Sequence, residues 1–348
     1  MILESAHKLM NQARDERLFT GAVLLVVRQG QVLLHESYGT TGGRDADSVT
    51  ADTLFDLASL TKVLATAPSW ILMSTADPDI LDRPLASWFP ESPRDKRRIT
   101  PRQLMAHSSG LPAWRPYYLF LYGQGSTISP AERVLAEPLQ YEPGQDSLYS
   151  DLGFMLLAAI IESHTGRSLN EFSRERIYEP LGLTDQLMFH PRPDEHRIAL
   201  TRRGEPAGIV NDLNCRAIGG ACGHAGLFGT ARAVGSLANE ILLGLKSREN
   251  FFDPTVIRAF CTRAGFVEGC TRALGFDTPS EKESSSGSFF SPTSVGHTGF
   301  TGTSLWIDPD RQLIVVLLTN RVFMGESDLR IKTFRPLLHD TIMHELLG

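Results

Sequence analysis

A serine placed three residues before a lysine, the pattern S-x-x-K, occurs twice in this 348-residue chain: Ser5 with Lys8, and Ser59 with Lys62. The first pair lies on a polar-faced terminal helix pattern, whereas Ser59 opens an apolar segment that continues to Met73. On a helix, Ser59 and Lys62 would share one face, and the helix N-terminus would favour the serine alkoxide. An apolar wall would lower the pKa of Lys62 until it accepts a proton at neutral pH. The pattern predicts a nucleophile and its base; the plainer alternative is a helix cap and a solvated lysine.

The second candidate element is Tyr149-Ser150-Asp151, directly before an apolar helix pattern that runs to His164. A phenol at a helix start can relay a proton between a leaving group and a lysine. Asp151 can hold Lys62 by a charge-assisted hydrogen bond. Taken alone, the segment has a simpler explanation, in which Tyr149 packs and Ser150 or Asp151 caps the helix.

The pattern His-Thr-Gly also occurs twice, at residues 164–166 and 297–299. In the first copy, Gly166 is explained as the left-handed cap of a helix. The second copy continues into Phe300 and lies between a polar loop and a strand, where glycines permit close approach of a ligand. A strand edge there would offer backbone N–H groups to an oxyanion, beside a hydroxyl and an imidazole.

In this order, the three motifs resemble those of the serine β-lactamase and penicillin-binding-protein superfamily. The resemblance is to the class C β-lactamase-like branch, which includes DD-peptidases, D-aminopeptidases and carboxylesterases. The family's order is S-x-x-K, then Y-x-N, then K-T-G or H-T-G. Residues 104–111, 223–228 and 306–309 are similar as well, and the resemblance covers about residues 8–345.

The resemblance implies a role for each matching residue. Ser59 would be the acylated nucleophile, Lys62 the base that activates it, and Tyr149 the proton relay to the leaving group and to the deacylating water. The backbone N–H groups of Ser59 and Phe300 would form the oxyanion hole. The substrate-binding residues that it implies are Asp151, His224, His297, Thr298 and Gly299.

Two positions depart from the family pattern. Asp151 stands where Asn is usual, and His297 stands where true β-lactamases usually have a permanently charged lysine. The alternative register S-D-N of class A enzymes fails because residue 152 is a leucine. We therefore expect a serine hydrolase, an esterase before a D-aminopeptidase or DD-peptidase, with a dedicated β-lactamase last. A ligand sensor that kept the cleft without turnover is the alternative from another class.

The elements that would position these motifs lie at both ends of the chain. Strands are predicted over 21–27, 31–35, 303–307 and 313–318. Helices are predicted over 3–18, 59–73 (with a kink or stop at Pro68), 150–164, 168–177, 230–245 and 327–347. Residues 278–294 are predicted to form an exposed loop. This pattern predicts an α/β fold of the α+β type, with one antiparallel sheet from both chain ends, flanked by helices, and an inserted helical lobe. The resemblance implies the β-lactamase/transpeptidase-like fold. We expect one catalytic unit over 1–348, with a sheet lobe of about 1–75 plus 265–348 and a helical lobe of about 76–264.

Composition limits the partners. The 34 lysines and arginines against 40 aspartates and glutamates give a net charge of -6, which favours neither nucleic acid nor an anionic membrane. Four cysteines are too few for a disulfide scaffold. The first residues lack a signal-peptide core, and no apolar run is long enough for a membrane span. We expect a cytoplasmic protein with no cofactor, metal, membrane or nucleic-acid partner, acting on a small-molecule ester, amide or β-lactam; its oligomeric state stays open.

Overall fold

The computed structural model describes residues 3–43, 46–121 and 129–347. Its strands are β1 (Gly21–Arg28), β2 (Gln31–Gly39), β3 (Phe55–Asp56), β4 (Leu187–Phe189), β5 (Leu227–Gly229), β6 (Val295–Thr298), β7 (Ser304–Asp308) and β8 (Leu313–Thr319). Its α-helices are α1 (Glu4–Asp15), α2 (Ala67–Ala76), α3 (Pro101–Met105), α4 (Tyr118–Leu121), α5 (Pro130–Ala136), α6 (Asp151–Thr165), α7 (Leu169–Ser173), α8 (Leu213–Ala217), α9 (Ala231–Leu245), α10 (Pro254–Cys261) and α11 (Ile331–Leu347).

Five strands form the main antiparallel sheet, in the order β2-β1-β8-β7-β6. β1 and β8 pair near its centre, from Ala22 opposite Thr319 to Arg28 opposite Leu313. The sheet therefore joins a segment near the start of the chain to one near its end. This arrangement confirms the predicted α/β fold, with an antiparallel sheet from both chain ends and helices around it.

Both faces of this sheet are covered, which explains why β8 is buried along its whole length. Successive strand side chains point to opposite faces. Val23 and Leu25 accordingly join the large core that includes α9, whereas Leu24 packs with α1 and α11 on the other face. The period-2 alternation along β1 thus divides the apolar side chains between two cores.

A second, three-stranded sheet has the order β3-β5-β4, and the sequence did not predict it. Its strands are two or three residues long, too short for hydrophobic periodicity to reveal. The sheet is central to the site because β3 ends at Asp56, three residues before Ser59.

The continuous helix predicted over 59–73 is wrong in its detail. The chain forms a 3-10 turn at Ala58–Leu60, then a π-helical turn at Lys62–Thr66, and only then enters α2. Pro68 sits in the first turn of α2, so it neither kinks nor stops that helix. Because Pro68 has no N–H, the carbonyl of Leu64 is free for another donor, and the hydroxyl of Tyr178 binds it at 3.0 Å.

Two further predictions need correction. Segment 278–294 is not exposed throughout, since Ser286 and Ser291 are buried. Ser291 donates its N–H and hydroxyl to the carboxylate of Asp308, and these hydrogen bonds hold the segment against the sheet. The last helix begins at Ile331, four residues later than the sequence suggested.

Capping residues fix several helix ends, and the cap at Gly166 was predicted. Gly166 closes α6 with a φ of 69°, and Thr230 caps α9 by accepting from the N–H of Ala233. Thr100 and Ser129 each form a reciprocal capping box before a proline.

The division into lobes near residues 76 and 264 stays a prediction. In the three described ranges, no helix has the length and apolarity needed to traverse a membrane.

Candidate active site

Ser59 occupies the middle of the 3-10 turn that follows β3. Ala58 precedes it with a positive φ of 47°, a conformation that costs a residue with a side chain ~1–3 kcal/mol. Asp56 compensates by accepting from the Ala58 N–H at 2.8 Å and from the Asn211 N–H at 2.7 Å. Burial raises the pKa of Asp56 to about 6. The serine is thus presented from a strained backbone held by a buried carboxyl group.

Lys62 lies within hydrogen-bonding distance of Ser59, and its side chain is fully buried. Its Nζ is 3.0 Å from Oγ of Ser59, 2.7 Å from Oδ1 of Asp151 and 3.1 Å from the carbonyl oxygen of His224. An ionised carboxylate and a carbonyl can only accept hydrogen bonds. A neutral amine would therefore give both N–H groups to Asp151 and His224 and turn its lone pair towards the Ser59 hydroxyl. A general base requires this geometry.

The charge state of Lys62 differs from the expectation. Burial alone would lower the pKa of Lys62, as the apolar sequence context suggested, but Asp151 and Tyr149 more than offset burial and raise it above its usual value. The predicted hydrogen bond between Asp151 and Lys62 is present at 2.7 Å, but the expectation of a lowered pKa did not weigh the charge of that carboxylate against burial. The resting lysine is an ammonium ion paired with Asp151, and the base-competent amine becomes more populated as pH rises.

We expect Asp151→Asn to shift the acid limb of the kcat/KM profile to lower pH. Asparagine still accepts from Nζ but carries no charge, so burial then dominates and the pKa of Lys62 falls. A lower pKa leaves more neutral amine at each pH below the plateau. The measurement is kcat/KM for a neutral ester across about pH 5 to 10 in both proteins. A limb that stays in place, or moves to higher pH, would separate Asp151 from the titration of the base.

Tyr149 lies beside both groups. Its side chain faces Ser59 and Lys62, and Nζ of Lys62 lies 4.9 Å from its ring centroid. The ring packs against His107 at 4.6 Å, and the guanidinium of Arg272 lies 5.2 Å from it. Burial raises the pKa of Tyr149, so the phenol keeps its proton at neutral pH. A protonated phenol beside Ser59 and Lys62 can deliver a proton and recover it.

The start of α6 fixes Tyr149 through its neighbour Ser150. The hydroxyl of Ser150 donates to the Pro112 carbonyl at 2.7 Å and accepts from the Gly153 N–H, which caps the helix. The N–H of Ser150 donates to Nδ1 of His107 at 3.0 Å. Burial lowers the pKa of His107 well below its usual value, so this ring is a neutral acceptor. The capping explanation holds for Ser150, while Tyr149 and Asp151 face the lysine.

The second His-Thr-Gly motif forms the end of β6, at the edge of the main sheet. Nδ1 of His297 lies 2.8 Å from the Thr298 carbonyl and donates to it. Burial, with help from Lys62 and Arg272, lowers the pKa of His297 well below its usual value, so the imidazole is neutral. A Cβ at position 299 would overlap the hydroxyl of Thr303 and the carbonyl of Leu57. Gly299 is required where this strand meets the Ser59 segment.

These elements surround an open cleft of about 860 Å³. The predicted site residues that line it are Ser59, Tyr149, Asp151, His224, His297, Thr298, Gly299 and Phe300. Lys62 lies behind Ser59, out of contact with solvent. Trp114, Phe300 and Leu329 line the same cleft and are each about half exposed. The structure therefore brings the predicted residues together, with Lys62 behind the wall of one cavity that has an apolar rim.

His224 contributes its carbonyl and its ring in different directions. Its carbonyl binds Lys62, and its Nε2 lies 3.0 Å from Oδ1 of Asp212. Burial would lower the pKa of His224, but Cys222 and Asp212 raise it well above its usual value, so the ring is an imidazolium. Its predicted role in substrate binding stays a prediction; in this structure its ring is bound to Asp212.

Sequence reasoning missed Asp56, His107, Asp212, Arg272 and Arg335. Two of them carried a signal. Asp56 is a charged residue inside the apolar run 54–58, and His107 belongs to the similar stretch 104–111. The two arginines follow no motif and reach the cleft only through the fold. Among the described residues, no group of three or more His, Cys, Asp or Glu side chains is placed to hold a metal ion.

Comparison with known proteins identifies the class. A family model described as Beta-lactamase matches residues 6–338. The chain therefore belongs to the beta-lactamase family of serine hydrolases, which confirms the membership that the three motifs predicted.

Individual relatives agree with this assignment. A protein of Escherichia coli O157:H7 named "Putative D-alanyl-D-alanine carboxypeptidase" is 30% identical, over 89% of this chain and 80% of its own. An N-acetylmuramyl-L-alanine amidase of Bacillus subtilis (strain 168) is also 30% identical, over 87% and 77%. Among solved structures, EstCE1, described as a hydrolase with promiscuous acyltransferase activity, has a TM-score of 0.77 at 23% identity over 98% of both chains. This last similarity shows the fold.

Proposed function

We propose that this protein cleaves small neutral esters, and more slowly amides, through a covalent acyl-enzyme on Ser59. The observation that supports the proposal most directly is the 3.0 Å contact between Oγ of Ser59 and Nζ of Lys62. The other two partners of Nζ are hydrogen-bond acceptors, which leaves Ser59 as the group that can lose a proton to the lysine.

Acylation begins when Oγ of Ser59 attacks the substrate carbonyl carbon while its proton passes to neutral Lys62. The electron pair of the C=O π bond moves to oxygen, and the N–H groups of Ser59 and Phe300 stabilise that oxyanion. The bond to the leaving group then breaks. Tyr149 donates its proton to the departing oxygen or nitrogen and recovers one from the Lys62 ammonium.

Deacylation reverses these proton transfers with water. Water attacks the acyl carbon, and its proton passes through Tyr149 to Lys62. When the bond between the acyl carbon and Oγ breaks, Ser59 regains a proton and the carboxylic acid leaves. The buried, neutral phenol suits this relay because its raised pKa keeps it protonated between steps.

The charge next to Ser59 favours uncharged substrates. His297 is neutral, and the arginines of the wall already have partners. Arg202 pairs with Glu326, Arg272 with Asp277, and Arg321 and Arg335 bind backbone carbonyls. A substrate carboxylate beside the scissile bond would meet Asp151 and the neutral His297. The exposed Lys332 also lines the cleft and has no carboxylate partner among the described residues. The half-exposed Trp114, Phe300 and Leu329 offer apolar contact to an acyl group instead.

Replacing His297 by lysine should shift this preference by about tenfold towards carboxylate-bearing substrates, the effect of one partly buried ion pair worth ~1.4 kcal/mol. The measurement is the ratio of kcat/KM for nitrocefin to that for a neutral ester. It is made in the wild type, in His297→Lys, and in His297→Lys with Asp151→Asn, because Asp151 offsets part of the new charge. If the ratio were the same in all three proteins, these positions would not control charge preference.

A D-alanyl-D-alanine carboxypeptidase is the second candidate, because the E. coli relative carries that name. One panel separates the candidates: p-nitrophenyl acetate and butyrate, D-amino-acid amides, diacetyl-L-lysyl-D-alanyl-D-alanine and nitrocefin, each with Ser59→Ala as the blank. The proposal expects the highest kcat/KM for the p-nitrophenyl esters. A higher value for the peptide would favour the carboxypeptidase, and a single burst without turnover on every substrate would favour a sensor.

A further inference from the structure

Arg335 of α11 is a buried cation in the cleft wall that lies among backbone carbonyls. It donates to the carbonyl of Gly299 at 2.5 Å, to that of Thr303 at 2.9 Å and to that of Gly302 at 3.4 Å. Within the described ranges it forms no ion pair with a carboxylate. Burying a guanidinium without a counter-ion is costly, and burial lowers the pKa of Arg335 to about 9. Because burying this guanidinium is unfavourable, we infer that Arg335 has a role at the turn whose carbonyls it binds.

The peptide that Arg335 holds is the one that carries the predicted oxyanion donor. In a trans peptide, the C=O of one residue and the N–H of the next point in opposite directions. Arg335 binds the C=O of Gly299, so the N–H of Phe300 must point away from Arg335. Among the described residues, neither this N–H nor that of Ser59 has a hydrogen-bond acceptor. The free pair fits a developing oxyanion.

The rest of the turn is held in the same way. Arg321 donates to the carbonyl of Phe300 at 3.0 Å, and the hydroxyl of Thr319 donates to that of Thr301 at 2.9 Å. The N–H of Gly299 donates to the Thr303 carbonyl at 2.7 Å. With these carbonyls occupied, the Gly299–Phe300 peptide cannot flip without breaking its charged hydrogen bond to Arg335.

We propose that Arg335 is a positioning residue that orients and polarises the Gly299–Phe300 peptide, so that the Phe300 N–H is preset as an oxyanion donor. A cation on the C=O side also strengthens the N–H as a donor, because hydrogen bonds in a chain polarise one another. Arg335 touches none of the reacting atoms. The inference rests on the proposed acyl-enzyme function, since only that chemistry develops an oxyanion beside Ser59.

The test measures the acylation rate constant per competent site, from the burst of p-nitrophenol released from a slowly deacylating ester. Arg335→Met fills similar space but cannot donate, and it should slow acylation by about 10- to 100-fold while KM changes by less than about threefold. Arg335→Lys restores a cation and should recover part of the rate. Arg311→Met, which removes a half-buried arginine at the β7–β8 turn, is the matched control and should acylate like the wild type.

Counting competent sites by burst amplitude separates this role from a merely structural one. If Arg335 were only structural, Arg335→Met would reduce the number of competent sites but leave the acylation rate per site unchanged. Arg335→Lys would then have the same rate per site as Arg335→Met. An unchanged rate per site in Arg335→Met would overturn the inference; if that variant fails to fold, equal rates in wild type, Arg335→Lys and Arg335→Gln would do so. A wild type with no burst above Ser59→Ala would instead overturn the acyl-enzyme function itself, and this inference with it.

Discussion

Ser59→Ala should lower kcat/KM for p-nitrophenyl acetate by at least about 10⁴-fold, because it removes the hydroxyl on which the proposed acyl-enzyme forms. The change removes one oxygen and one hydrogen bond, that from Lys62. We therefore expect the free energy of unfolding to change by only about 1 kcal/mol. Steady-state kinetics and thermal unfolding, measured on the same preparation, check the two halves of this expectation.

The chain contains its own control for this substitution. Ser5 begins the other S-x-x-K pattern, lies exposed on α1, and anchors the helix through its backbone N–H to Glu345. Ser5→Ala should hydrolyse the ester like the wild type. If Ser59→Ala kept its activity and Ser5→Ala lost it, the nucleophile would be Ser5, and the assignment to Ser59 would be refuted.

Lys62→Arg should lose nearly all activity, by about 10³-fold or more, although it keeps the positive charge. A guanidinium cannot release its proton at working pH, so it cannot accept one from Ser59. The ion pair with Asp151 can re-form with arginine, which limits the structural damage. The measurement is kcat at saturating ester, together with the melting temperature.

Lys8→Arg in the other S-x-x-K pattern is the matched control and should have wild-type activity. Near-normal turnover by folded Lys62→Arg would exclude Lys62 as the base and point to Tyr149. If Lys62→Arg does not fold, Lys62→Ala with exogenous primary amines replaces it, since an added amine that enters the vacated space and restores turnover reports the same base.

The sequence could predict those features that depend on residues close by in the chain. Ser59, Lys62 and Tyr149 follow local patterns, and helix caps such as Thr230 depend on residues three positions away. That strands from both ends of the chain share one sheet followed from the apolar strand patterns at those ends, and the pairing of β1 with β8 makes this join. These features depend on short-range patterns and on order, which a single sequence contains.

What sequence missed depends on groups that meet only after folding. The raised pKa of Lys62 comes from Asp151, and the strained turn before Ser59 is held by Asp56 together with Asn211. Arg335 reaches the Gly299 carbonyl from a helix at the far end of the chain. Buried charges of this kind follow no periodicity, because their partners are set by tertiary packing.

The most direct test of the acyl-enzyme is to find the covalent intermediate. The protein is incubated with a slowly deacylating ester, quenched in acid, and digested for peptide mass spectrometry, with Ser59→Ala treated in parallel. We expect an intact mass increased by one acyl group, on the peptide that contains Ser59, and no increase in Ser59→Ala. An acyl group on Ser5, Ser108 or Ser150, or turnover with no acylated protein at any time, would contradict the central claim.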